Sequence, residues 1–281
     1  MSVTREINSI IEIASDYDAI VFDQWGVLHD GAQPYSFAVQ TLRQLNLSGH
    51  CLAVLSNSGK RASSNAQRIC SFGFEEAWFD VVMTSGEAFA AEILNKKISE
   101  QTFFPIQRNA GDADKFAAEL SLQLSDNMQY CDAILLMGFP DSASLNDWEI
   151  IVENALERQL TVYCTNPDRN GPRSGGIQVT QPGALAFDYK EKGGRVIFYG
   201  KPYRPIFENL KLMLGAKSIL MVGDSLENDI VGGYEAGWDT LLVKGGLHLN
   251  RFSEGDTQKN LKELTLELST PNPTFIIGEV K

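Results

Sequence analysis

The chain has 281 residues, of which 43% are hydrophobic and 21% charged, and carries a net charge of −12. That length exceeds one ordinary core and predicts either a large domain or a core interrupted by an insertion. The acidity and the absence of a long basic run exclude a nucleic-acid partner, and the absence of an apolar stretch of about 18 residues excludes a membrane span.

In chain order, the opening residues contain no apolar signal-peptide core. Ile7, Ile10, Ile11 and Ala14 fall at helical spacing and predict a first helix. The run Asp18-Ala-Ile-Val-Phe-Asp23 is apolar on both faces, too short for a lone helix, and ends at a loop-forming residue. It suits a central strand of a parallel sheet. Further strands are expected at 51–56, 81–85, 196–200, 219–223, 240–243 and 274–277, with helices near 36–47, 60–71, 204–214 and 228–236. This alternation implies βαβ units. The middle reads as a second α/β unit, with strands at 131–137 and 160–164 and helices at 87–98, 113–124, 144–158 and 182–191. Ser85-Gly86 opens that block and Gly193-Gly194 closes it. The expected organisation is therefore an α/β protein: a Rossmann-like parallel-sheet core of residues 1–86 and 194–281, with a smaller α/β domain, 87–193, inserted into it. Cys51, Cys70, Cys131 and Cys164 show no CxxC spacing. They read as free thiols and point to a reducing, cytoplasmic setting.

Two of the strands end in aspartate, at Asp23 and at Asp224 in Ser218-Ile-Leu-Met-Val-Gly-Asp224. Ligands of open parallel sheets bind outside the carboxyl ends of the strands, so both carboxylates are expected in one crevice, where a hard divalent cation would relieve their repulsion. Taken alone, Asp23 is either a turn or cap residue or a carboxylate nucleophile toward phosphorus. Ser56-Asn57-Ser58 precedes a helix expected to open at Gly59-Lys60-Arg61, which gives either a plain cap or an anion site of hydroxyl and free amides. Lys201, between Gly200 and Pro202, is either a solvated lysine or a cation at a strand-to-helix junction. Asp229 lies one turn beyond Asp224; the pair suits magnesium, and the spacing of a calcium EF-hand is absent. No G-x-G-x-x-G follows the first strand, which disfavours a dinucleotide dehydrogenase. A receiver-type signalling domain would not need this length.

These four pieces, in this order and spacing, resemble the haloacid dehalogenase superfamily of phosphohydrolases. The insertion is similar to the α/β cap of its p-nitrophenyl phosphatase and sugar-phosphatase branch, and Thr165-Asn166-Pro167-Asp168 is similar to that branch's substrate-facing cap loop. The resemblance implies Mg²⁺-dependent hydrolysis of a small phosphorylated metabolite through an aspartyl-phosphate. Asp23 would attack phosphorus and ligate Mg²⁺, with the backbone carbonyl of Trp25 and the Asp224 carboxylate as further ligands. Asp229 would steady metal-bound water or Lys201. Ser56, the Asn57 amide and Lys201 would hold the phosphoryl oxygens, while Asn166 and Asp168 would meet the leaving group. Caps of this branch often mediate dimers, which leaves a homodimer through the cap open.

One position departs from the family pattern. Two residues after the nucleophile, where such phosphatases usually carry a second aspartate as acid and base, this chain has Trp25. Losing a general acid typically costs about 10²–10⁴ in rate. The departure implies a slow phosphatase in which Asp30, His29 or a cap residue supplies the proton, a phosphometabolite-binding protein without turnover, or dehalogenase-like chemistry. The metal-type acids and the large insertion both suit phosphoesters. His50 and His248 have no metal-like spacing and receive no role.

Overall fold

A computed structural model of the protein describes residues 4–172 and 178–281. In chain order its strands are β1 (Arg5–Glu6), β2 (Ala19–Phe22), β3 (Cys51–Ser56), β4 (Val81–Thr84), β5 (Thr102–Ile106), β6 (Gln123–Leu124), β7 (Ala133–Leu136), β8 (Thr161–Cys164), β9 (Asn170–Pro172), β10 (Gln178–Thr180), β11 (Val196–Phe198), β12 (Ile219–Gly223), β13 (Asp239–Val243) and β14 (Phe275–Ile277). The chain divides into two compact units. One comprises Met1–Ser56, Asn65–Met83 and Phe207–Lys281; the other comprises Asn57–Ser64 and Thr84–Ile206. No helix among the described residues is long and apolar enough to cross a membrane.

The first unit is organised by a seven-stranded sheet in the order β1-β14-β13-β12-β2-β3-β4. Its pairings from β1 through β3 are parallel. All four β2 residues are buried, and so are all five of β12, which is the burial expected of central strands covered on both faces. The chain leaves β2 to build β3 and β4 on one side and returns to build β12, β13 and β14 on the other. The carboxyl ends of β2 and β12 therefore flank a topological switch point, the usual place for a ligand crevice.

The second unit has its own five-stranded parallel sheet, in the order β11-β8-β7-β5-β6, and an antiparallel β9–β10 ribbon. Its core packs Ile106, Leu136, Val162, Cys164, Leu185 and Phe198 around the fully buried Tyr189. Residues 57–64 belong to this unit because they are strapped to it. Arg61 pairs with Glu87 through two hydrogen bonds of 2.8 and 2.9 Å, and the Thr84 hydroxyl donates to the Lys60 carbonyl at 2.6 Å.

Four expectations need correction. Val196–Phe198, assigned to the core sheet, pairs instead with β8 in the second sheet; one buried apolar strand reads like another, and only the register decides its partner. The first helix is two 3₁₀ turns, Ile10–Glu12 and Ala14–Asp16. Ser9 and Glu12 form a capping box there, and the Ile10 N–H is taken by the Lys281 carbonyl. The helix at 113–124 stops at Ala118, after which Gln123–Leu124 joins the sheet as β6. Strand β5, Thr-Phe-Phe-Pro-Ile, lies where no strand was expected, and it carries Pro105, a residue that usually argues against an interior strand. Its neighbour β6 pairs only at Thr102 and Phe103, so the ladder on that side ends before Pro105 is reached.

The Tyr189 hydroxyl lies 2.7 Å from the Leu160 carbonyl and 3.1 Å from that of Ala155. Ala155 also accepts the Leu160 N–H, so Leu160 depends more on the tyrosine. Tyr189→Phe strands a buried acceptor and is expected to destabilise the chain by about 1–2 kcal/mol, read from a urea titration; an unchanged midpoint would show that the hydroxyl contributes nothing.

Candidate active site

Asp23 directly follows β2, and its N–H donates to Val222 of the neighbouring β12 at 2.9 Å. Asp224 directly follows β12. The chain then turns through Leu226–Ile230, a π-type turn in which the Ser225 carbonyl accepts the N–H groups of both Asp229 and Ile230. That wide turn carries Asp229 back over the strand end, where its carboxylate accepts the Ser225 N–H at 3.1 Å. One carboxylate oxygen from each of Asp23, Asp224 and Asp229 lies within 4.8 Å of the others. These residues are 9%, 8% and 0% exposed.

Two glycines pack closely against Asp224 in this cluster. A Cβ at Gly26 would sit 1.7 Å from the Asp224 carboxylate, and one at Gly246 would sit 2.2 Å from it. Gly26 also has φ of +77°, which favours glycine. The Leu247 N–H donates to Asp224 at 2.6 Å, and His248 Nε2 accepts the Leu226 N–H at 3.4 Å. Three closely spaced, mostly buried carboxylates in an oxygen-only donor set are what a hard divalent cation requires, so the residues present fit Mg²⁺. The supporting segment 245–248 was missed by sequence reasoning. Nothing local ties Gly245-Gly246 to a strand that ends more than twenty residues earlier.

Trp25 is half-buried. Its ring rests on Gly31, where a Cβ would come within 2.1 Å. It meets the edge of His29 at 5.7 Å and the Arg68 guanidinium at 5.8 Å. Neither neighbour named as a proton source is poised as one. His29 is fully buried, stacks on Phe72 at 4.3 Å and accepts the Gly31 N–H on Nδ1 at 3.1 Å. Its Nε2 has no partner, and burial pushes its pKa down to about 4. The Asp30 carboxylate accepts the N–H groups of Ala32 and Gln33, both at 2.8 Å, which hold its pKa below the usual range. It is a turn residue.

In the second unit, Asn57, Asp168 and Lys201 come together. Asn57 Oδ1 accepts the Lys201 N–H at 2.6 Å, and Asn57 Nδ2 donates to Asp168 Oδ1 at 2.8 Å and to the Lys201 carbonyl at 3.3 Å. Lys201 is 3% exposed, which overturns the solvated-lysine reading. Asn166 is engaged within its own region: Oδ1 accepts the Asp168 N–H at 3.2 Å, and Nδ2 donates to Gln181 at 3.4 Å. The helix expected to open at Gly59 begins at Ala62, and the Ala62 N–H is taken by the Glu87 carboxylate at 3.1 Å. The anion at that terminus is the protein's own. Ser56 ends β3, the strand beside β2.

A family model described as haloacid dehalogenase-like hydrolase matches residues 20–118, and a second, described as HAD-hydrolase-like, matches 198–276. Chronophin of Mus musculus is 24% identical over 245 residues, covering 84% of each chain. A haloacid dehalogenase-like hydrolase from Brucella suis has the same fold, with a TM-score of 0.80 at 23% identity over 98% of this chain and 100% of that one. A glycerol phosphate phosphatase from Mycobacterium tuberculosis, solved in complex with magnesium, superposes with a TM-score of 0.70 at 21% identity, covering 91% of this chain and 79% of that one.

Burial of His29 makes a pH prediction. Its pKa falls from 6.5 in the unfolded chain to about 4 in the folded one, so its contribution is complete above pH 6.5 and is lost as the pH falls toward 4. His29→Asn, which can still accept the Gly31 N–H, should remove roughly 1 kcal/mol of stability change per pH unit across that window. Parallel stability-versus-pH curves for the two proteins would refute the assignment.

Proposed function

Because the chain belongs to the haloacid dehalogenase superfamily of hydrolases, we propose that it is a Mg²⁺-dependent phosphatase of small phosphate monoesters, working through an aspartyl-phosphate on Asp23. The observation that carries this reading is the carboxylate cluster at the switch point, with Asp23, Asp224 and Asp229 within 4.8 Å. The name of one similar protein, glycerol phosphate phosphatase, supports phosphoester chemistry and a small metabolite as substrate.

In this reading Asp23, Asp224 and the Trp25 carbonyl hold the cation, and Asp229 stands behind them. When bound, the cation offsets negative charge on the carboxylates and the phosphoryl oxygens. An Asp23 oxygen attacks phosphorus, the P–O bond to the leaving group breaks with its electron pair going to the leaving oxygen, and the departing alkoxide or phenolate takes its proton from solvent water. Water then cleaves the acyl phosphate, releasing inorganic phosphate and restoring the carboxylate. Ser56, the Asn57 backbone amide and Lys201 bind the phosphoryl oxygens. Residues 87–193 act as the cap, and Asn166 and Asp168 meet the leaving group.

Trp25 shapes the expected activity. An indole N–H is no acid at neutral pH, and neither His29 nor Asp30 is poised to replace the missing aspartate. Turnover is therefore expected to favour leaving groups acidic enough to depart unaided. The same observation favours a second reading, a phosphometabolite-binding protein on this fold that performs no hydrolysis.

Three experiments test the proposal. An aryl phosphate should be turned over with Mg²⁺ and not after chelation, and Asp23→Asn, nearly isosteric, should abolish turnover while the circular dichroism spectrum is retained. Metal-independent turnover, or full activity in Asp23→Asn, would refute it; phosphate binding without turnover in the unsubstituted protein would favour the second reading. Trp25→Asp should raise alkyl phosphate turnover by up to about 10²-fold and aryl turnover by much less. An equal effect on both substrates would refute the leaving-group argument.

A further inference from the structure

We propose that the Asn57 side chain is a positioning residue for Lys201 and that Asp168 sets its orientation; the proposal rests on the reading of Lys201 as a phosphoryl-binding cation. Strand β11 ends at Phe198, and the last sheet-type bond on that side is Tyr199 N–H to the Cys164 carbonyl at 3.0 Å. Beyond it, no strand among the described residues is paired with Lys201, and Pro202 offers no N–H. The Asn57 amide takes the place of the missing strand. It accepts from the Lys201 N–H at 2.6 Å and donates to the Lys201 carbonyl at 3.3 Å, so one planar group holds both backbone polar atoms of the residue.

An amide can do this in only one of its two flipped states, and two partners select that state. The Lys201 N–H requires an oxygen opposite it, and the Asp168 carboxylate, 2.8 Å from Nδ2, requires a donor. A hydrogen bond to a charged acceptor is stronger than one between neutral groups, so Asp168 is well suited to lock the amide. Close packing confines the same point: a Cβ at Gly200 would lie 2.3 Å from Pro167 and 2.6 Å from Asn57 Oδ1. Asn57 and Lys201 are 8% and 3% exposed, so water cannot readily replace a lost partner. An asparagine whose backbone amide was expected to bind phosphate, and an aspartate expected to meet the leaving group, thus share a second task through their side chains.

The test is a reciprocal exchange. Asn57→Asp sets a second carboxylate against Asp168 and an oxygen against the Lys201 carbonyl. Adding Asp168→Asn restores the bond with donor and acceptor reversed. Amine-directed acylation of Lys201, located by mass spectrometry, reports its position whether or not the protein is a phosphatase. Labelling should quicken in N57D and return toward the original rate in the double variant. With 4-nitrophenyl phosphate, kcat should fall by about 10²-fold in N57D, with a smaller change in KM; the double variant is read by labelling alone, because Asp168 is itself placed at the leaving group. Asn57→Ala, which removes the bonds without adding charge, should show the same labelling and serves if N57D does not fold. Unchanged labelling in N57A and N57D, or a double variant no better than N57D, would overturn the proposal. Labelling that responds as expected while kcat is unmoved would keep the positioning and refute the role of Lys201 in turnover.

Discussion

Three carboxylates confined within 4.8 Å, in a place where little water reaches them, repel one another strongly, and that repulsion is the constraint on which the first unit depends. The fold makes it tolerable by fixing each group. Asp229 is braced by the Ser225 N–H and Asp224 by the Leu247 N–H, while the glycines at 26 and 246 leave no room for either neighbouring segment to carry a side chain. Backbone N–H groups donate only partial positive charge. In the proposed reading a divalent cation would supply the rest.

The second unit meets a different demand. It buries a lysine where the strand that carries it has run out, so the backbone polar groups of that lysine must be satisfied from elsewhere. A side-chain amide does this, and the amide is in turn held by an aspartate from the 166–168 loop. Segment 57–64 is tied to the same unit by the Arg61–Glu87 pair and the Thr84 hydroxyl. Asn57 and Lys201 are consequently parts of one rigid hydrogen-bonded assembly, far apart in sequence and adjacent in space.

Trp25 separates binding from proton transfer. Its ring is shelved on Gly31 and flanked by His29 and Arg68, and the carboxylate usual at this position has no substitute on the same loop. His29 is neutral and buried, and Asp30 is spent on its own turn. On the proposed phosphatase reading, such a loop would leave departure of the alcohol to its own acidity.

The alternation of strand-like and helix-like runs, the all-apolar segments ending at Asp23 and Asp224, and the motif residues Ser56, Asn57, Lys201 and Asp229 were all legible in the sequence, because each is a local pattern of residue types. What stayed hidden was partnership. Strand β11 could have joined either sheet, since only backbone register distinguishes them. Gly246 and His248 support a strand end that no local pattern connects to them. The role of the Asn57 side chain depends on two residues more than a hundred positions away. Sequence by itself determined which groups of the right chemistry stand at element ends, because period and turn chemistry are short-range properties. The tertiary structure alone decided which of them touch and which are already committed, because hydrogen-bond geometry and close packing act between residues that chain order does not relate.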